Sequence, residues 1–195
     1  MKRRICLFFS FWGLIVLAQG LLNVEELVIE GRNVSSGRYP DADYAIIDNK
    51  ITLEYRNDAT HVCIDDTAVK ILTEAGRKKQ RVQREYYSKA YSTSQFTLIQ
   101  VISPDGKVRN IDPKTVCKES IDQSQMGSNI YDPNHKVLSA SIPGLNVNDI
   151  VRYVVKRDEY KVRMPGAFGE YYVLEYDAPI ISTTIQVKTA PNLPL

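Results

Sequence analysis

The side chains able to do chemistry are few. The chain holds two histidines, His61 and His135, and three cysteines, Cys6, Cys63 and Cys117. A thiol becomes a nucleophile when a base takes its proton, and histidine is the usual base. His61 and Cys63 are two residues apart in an alternating stretch, so on a strand they share a face. A hydrolase also needs an acid to orient the imidazole and amide donors for the oxyanion. No Gly-rich nucleophile turn accompanies the pair. The sequence is therefore read as non-catalytic, with a cysteine hydrolase using Cys63 and His61 as an alternative. His135 lies in a polar loop and reads as solvated.

Metal and acid–base chemistry have less support. Two histidines and the scattered cysteines do not form a zinc signature. Asp41 and Asp43 have the opening spacing of a calcium loop, but its later Gly and Glu are missing. Asp65-Asp66 and Asp158-Glu159 are neighbours, and neighbouring side chains on a strand point to opposite faces. They read as solvated or structural. No Gly-rich phosphate cradle is present, and no cofactor is expected. The remaining candidates are the tyrosines Tyr86, Tyr87, Tyr91, Tyr171, Tyr172 and Tyr176, which could form a platform for a glycan or peptide.

Strands must position these residues. Tyr outnumbers Phe and Trp, 12 against 5 and 1, and favours half-buried strand surfaces. From Ala45 the pattern takes period two: Ile51, Leu53 and Tyr55 alternate with Thr52, Glu54 and Arg56. His61 to Thr73 reads as a long strand with a bulge or kink at Asp65-Asp66, closed by Glu74-Ala75-Gly76. The basic cluster Arg77, Lys78, Lys79, Arg81 and Arg84 reads as a solvated turn. Val82–Tyr91 reads as an irregular edge strand. Phe96–Ile102 and Val108–Ile111 flank Ser103-Pro104-Asp105-Gly106-Lys107, a hairpin turn in which Gly accepts positive φ. Residues 112–134 read as a long turn-rich excursion, a second candidate for ligand contact. Further strands are expected at Val137–Ile142, Val151–Val155, Tyr171–Tyr176 and Thr183–Thr189. About nine short strands joined by Gly, Pro, Asn and Asp turns predict a mainly all-β fold, an antiparallel β-sandwich.

Lys2, Arg3 and Arg4 precede an apolar run from Ile5 to Leu17, the pattern of a cleaved signal peptide over 1–18, helical in form. Residues 19–42 read as an exposed lead-in linker with a short helix near Val24–Ile29, and 43–195 as the sandwich domain. The expected location is periplasmic or extracellular, with membrane contact through export alone. Removing 1–18 leaves 22 basic against 23 acidic residues, a net charge of about −1. That balance gives no footprint for nucleic acid. In an oxidising compartment Cys63 and Cys117 form one disulfide or remain separate, Cys63 then serving as a small buried hydrophobe.

An ordered set of phrases resembles a known family. These are Tyr39-Pro40-Asp41-Ala42-Asp43, Val69 to Arg77, Ser103 to Val108, Ile142-Pro143-Gly144-Leu145 leading to Asp149-Ile150-Val151-Arg152-Tyr153, and Ala190 to Leu195. The set is similar to the N-terminal β-domain of unknown function that precedes transglutaminase-like domains in exported Bacteroides-type proteins. The resemblance implies a C-terminal transglutaminase-like partner domain with a Cys-His-Asp triad. No position here matches that triad. The resulting expectation is an exported accessory domain, with a stand-alone glycan- or peptide-binding module as the alternative.

Overall fold

The computed structural model describes residues 21–128, 131–164, 169, 172 and 177–192. The expected signal peptide and all but Tyr172 of the expected strand at Tyr171–Tyr176 lie outside the described residues. Among the described residues, no helix is long and apolar enough to cross a membrane.

Among the described residues, nine strands form two sheets. They are β1 (Tyr44–Tyr55), β2 (His61–Ile71), β3 (Val82–Ser88), β4 (Ser92–Ile102), β5 (Val108–Asn110), β6 (Cys117–Ile121), β7 (His135–Ser141), β8 (Ile150–Glu159) and β9 (Thr183–Lys188). The larger sheet runs β5-β4-β8-β2-β1-β9 and the smaller β3-β7-β6. This is the mainly β, sandwich-like architecture expected. One edge departs from it: β9 pairs with β1 in parallel, Asn49 opposite Thr183 through Glu54 opposite Lys188. Period two reports which face a side chain takes and carries no information on strand direction.

The inner face of the larger sheet follows from register. Val69, Val101 and Val151 lie in line, as do Phe96 and Val155, and Ile71, Phe96, Val101, Val151 and Val155 pack with Ile99, Ile111, Ala140, Ile142 and Leu145 in one core. The register slips between Phe96 and Leu98. This bulge lets Phe96, Ser94 and Ser92 share a face with Ile99 and Val101, although strict alternation would separate them.

A helix covers the outer face. α1 (Val24–Arg32) starts at Asn23, whose side chain accepts from the Glu25 N–H, and has acidic residues in its first turn and Arg32 in its last. Leu27 packs on Ile47, Ala68, Ile102 and Ile150. With Leu27, Val34 and Ala42 buried, the lead-in is part of the fold and not an exposed linker. Its polar sequence masks three well-spaced apolar anchors.

Three local expectations are corrected. β2 runs unbroken through Asp65-Asp66, where Asp66 is buried and bonded to Arg152 instead of marking a kink. Glu74-Ala75-Gly76 and the first three residues of the basic cluster, Arg77, Lys78 and Lys79, lie in α2 (Glu74–Gln80), capped by the Thr73 hydroxyl, which accepts from the Gly76 N–H; Arg81 is its C-cap and Arg84 lies on β3. A Cβ on Gly76 would sit 1.9 Å from the Asp43 carbonyl oxygen, so only glycine allows this close approach. Within 112–134 the chain forms α3 (Pro113–Val116), β6 and a 3-10 turn at Ser124–Ser128. The Ser103–Lys107 turn is as expected, with Gly106 at φ 87 and β4 paired antiparallel to β5.

Candidate functional site: an open cleft at the polar end of the sandwich

The inner face changes character along the strands. At one end Val151 and Ile71 meet the smaller sheet. At the other, register sets His61 opposite Glu159 and Cys63 opposite Arg157 on β2 and β8. β1 brings Tyr55 opposite His61, and β4 brings Ser92 opposite Glu159 and Ser94 opposite Arg157. The sheets part here into a cleft of about 550 Å³, lined by Tyr55, His61, Tyr86, Tyr87, Arg157 and Glu159 among others. Arg163, Met164 and Gly169 border it.

The polar groups in this region hold one another. The Arg157 guanidinium donates from Nε to Glu85 Oε1 at 3.0 Å and also from Nη2, joining the two sheets. Burial pushes the Glu85 carboxyl above the usual glutamate range, and the nearby Arg157 charge offsets only part of this. Asp65, on the same face of β2, accepts from Asn49 at 2.6 Å and from Thr67 at 2.8 Å. Burial raises its pKa despite those bonds. His61 is buried. Its ring lies 4.7 Å from that of Tyr55, and its Nε2 is 3.8 Å from Glu159 Oε2. The Ser94 hydroxyl is buried with no hydrogen bond among the described residues.

The tyrosines singled out from sequence separate. Tyr86 and Tyr87 line the cleft. Tyr87 donates to Glu119 on β6, which Lys89 also contacts at 2.6 Å. Burial, then the Glu119 carboxylate, pushes the Tyr87 hydroxyl far above the ordinary phenol range, while the Lys89 and Tyr87 bonds hold Glu119 low. Tyr91 stands beside the cleft with the Arg163 guanidinium 4.7 Å and the Lys161 ammonium 5.6 Å from its ring. Tyr172 packs on Ile51, Leu53, Tyr55 and Cys63, its hydroxyl 3.9 Å from Cys63 Sγ. Tyr171 and Tyr176 lie outside the described residues.

Cys63 and Cys117 stand on different sheets and no disulfide joins them. Burial raises the Cys117 thiol. Among the described residues, no three His, Cys, Asp or Glu side chains converge to hold a metal ion.

Sequence reasoning did not find Tyr55, Glu85, Arg157 or Glu159 as cleft residues. A signal existed for two of them: on β8, Val151, Tyr153, Val155, Arg157 and Glu159 share a face that turns from apolar to charged. Their partner Glu85 is 72 residues away in sequence and leaves no local trace.

Residues 57–195 match a family described as a Domain of Unknown Function with solved-structure structure, DUF3857. The chain belongs to this family. No curated protein matches it. The DUF3857 chain is similar in fold to a solved structure from Parabacteroides distasonis, described as a "putative protease", with a TM-score of 0.64 at 11% identity. The match covers 78% of this chain and 30% of that one, so the chain spans less than a third of the solved protein's length. A family 3a carbohydrate-binding module from the cipA scaffolding of Clostridium thermocellum aligns with a TM-score of 0.35, 11% identity, and coverage of 60% and 76%. A second cipA module with its linkers aligns at 0.38, 12%, 62% and 69%. Likeness at those two scores is too slight to carry an argument.

Proposed function

We propose that the DUF3857 chain is an exported, non-catalytic accessory domain that supports or presents a neighbouring transglutaminase- or peptidase-like catalytic domain. One observation carries this reading. At the open end of the sandwich, the groups that would make a reactive centre are engaged in structural contacts. The Cys63 sulfur lies against the Tyr172 hydroxyl, the His61 ring lies tilted against that of Tyr55, and Arg157 ties the two sheets together through Glu85. A nucleophile needs its base aligned on it and amide donors beside the developing charge. Here the thiol packs in an apolar cluster against the Tyr172 hydroxyl, with Arg157 opposite it on β8.

Two further points support an accessory role. The fold is shared with part of a longer protein described as a "putative protease", and the chain spans less than a third of that protein. The Lys2-Arg3-Arg4 and Ile5–Leu17 pattern fits export to the periplasm or beyond. A domain of this kind works by holding a neighbour or its substrate in place, which requires a rigid scaffold with an accessible surface.

The test is to purify the exported chain and assay peptidase, amidase and transamidase turnover on casein and on glutamine peptides. The expected rate equals that of the blank. Turnover that disappears on Cys63→Ala or His61→Ala would overturn the reading.

A further inference from the structure

We propose that the chain dimerises edge to edge, with β9 of one copy pairing antiparallel to β9 of a second. The proposal concerns the rim of the larger sheet and goes beyond the accessory role.

The last strand of a sheet turns main-chain N–H and C=O groups outward. Such an edge pairs with another strand unless it is short, charged, bulged or covered. Among the described residues, the larger sheet ends in β5 and β9 and the smaller in β3 and β6. Three of these edges are guarded. β5 is three residues long. β3 carries Arg84 and Glu85 side by side, and β6 carries Lys118 and Glu119. β9 differs. Over Thr183–Lys188 it has no proline, no glycine and a single charge, Lys188, at its end, and it is exposed from Thr184 onward.

Its side chains add apolar surface to that edge. Parallel pairing sets Ile185 beside Ile51 and Val187 beside Leu53. Those β1 residues are buried in the cluster with Tyr55 and Cys63. Ile185 and Val187 are each 39% exposed. They carry the apolar strip out to the rim, where it stops uncovered.

The sequence of β9 fits a second copy of itself. Directly opposite residues of an antiparallel pair lie on the same face and touch. With Gln186 opposite Gln186 of the partner subunit, Ile185 faces Val187 of the partner subunit, and Thr184 faces the partner subunit's Lys188. Apolar meets apolar, amide meets amide, and no like charges meet. A slip of one residue would set Ile185 against Gln186 of the partner subunit and lose this match. The contact is isologous and closes on itself, so it gives a dimer and not a fibre. The joined sheet has six strands from each copy. A seam of two short strands buries less than the roughly 1,200 Å² of a standard interface, so the dimer is expected to form at high micromolar concentration.

The experiment is sedimentation velocity on the exported chain from about 5 to about 500 µM. The mass is expected to rise from one copy to two and no further. Ile185→Lys and Val187→Glu are each expected to weaken the dimer at least tenfold without moving the melting temperature. Combined, they set opposite charges face to face across the seam in this register, and most of the loss is expected to return. Tyr131→Lys, at an exposed tyrosine away from β9, is expected to change nothing. A disulfide trap reads the register. Opposite Cα atoms in an antiparallel pair lie about 4.5–5.5 Å apart, within reach of a disulfide. Oxidised Gln186→Cys is therefore expected to link two copies through residue 186, as read by mass spectrometry, and Thr184→Cys is not. Four results would overturn the proposal: the mass of one copy at every concentration; growth past two copies; single charges that leave the dimer intact; or linkage by Thr184→Cys in place of Gln186→Cys.

Discussion

Arg152 and Arg157 lie five residues apart on β8, and each holds a carboxylate from another strand. The odd spacing sends them to opposite faces of one sheet. Arg152 faces outward, where its guanidinium is bonded to Asp66 by Nε at 2.9 Å and Nη2 at 2.7 Å. Gln100 accepts from its Nη1, and Asp66 also accepts the Leu22 N–H at 2.8 Å, next to α1. Their side chains are 5% and 0% exposed. Arg157 faces inward to the cleft, 33% exposed, with Glu85 at 17%. The same chemical pair is sealed in one place and half-open in the other. The sealed pair fastens the lead-in to the sheet. The open pair holds the two sheets together while leaving polar atoms within reach of solvent or ligand.

The comparison can be broken by removing one acid from each pair. Asp66→Ala strands a buried guanidinium and the Leu22 N–H, and should cost about 3–5 kcal/mol. Chemical denaturation should show that loss, and hydrogen exchange should show amides 22–32 opening first. Glu85→Ala should cost only about 1 kcal/mol, because Arg157 can turn to water. Equal losses at the two sites would remove the distinction.

A core control lies between these values or above the smaller one. Ile99→Ala, at the apolar end of the same inner face, should cost about 2–5 kcal/mol in the same unfolding assay. A loss below that of Glu85→Ala would mean that the polar end, not the apolar one, carries the sandwich.

The half-open site should also respond to pH. Glu85 has a raised folded pKa, so the folded state takes up its proton more readily than the unfolded chain. Its contribution is most favourable below the unfolded value and is lost as pH rises through the raised folded one. Asp65 shifts in the same direction, and Arg157 faces both. Glu85→Gln copies the protonated form. Relative to the native chain it should therefore gain stability between about pH 4 and pH 7. Melting curves at the two pH values check this. A difference that stays constant, or that moves the other way, would show that Arg157 outweighs burial.

These two sites also show how far the sequence could be read. Strands, the Ser103–Lys107 turn and the sandwich class follow from alternation and turn chemistry, which are local. The Asp66–Arg152 pair is not local: 86 residues separate its members, and Asp65-Asp66 alone looks like a break in a strand. The cleft was half visible, since Tyr86 and Tyr87 stand out while Glu85 between Arg84 and Tyr86 does not. The bulge between Phe96 and Leu98 moves Ser92 and Ser94 onto the inner face, and simple alternation cannot anticipate that shift. β6 was hidden among turn formers because it sits at the edge of the smaller sheet, with Lys118, Glu119 and Ser120 exposed.

The most direct test of a cleft that holds and does not react is the alkylation rate of Cys63. The native chain is treated with iodoacetamide at neutral pH and the labelled site is read by mass spectrometry. A sulfur buried against Leu53 and Tyr172 should take up label slowly, and quickly only after denaturation. Fast labelling of the folded protein, slowed by His61→Ala, would contradict the account.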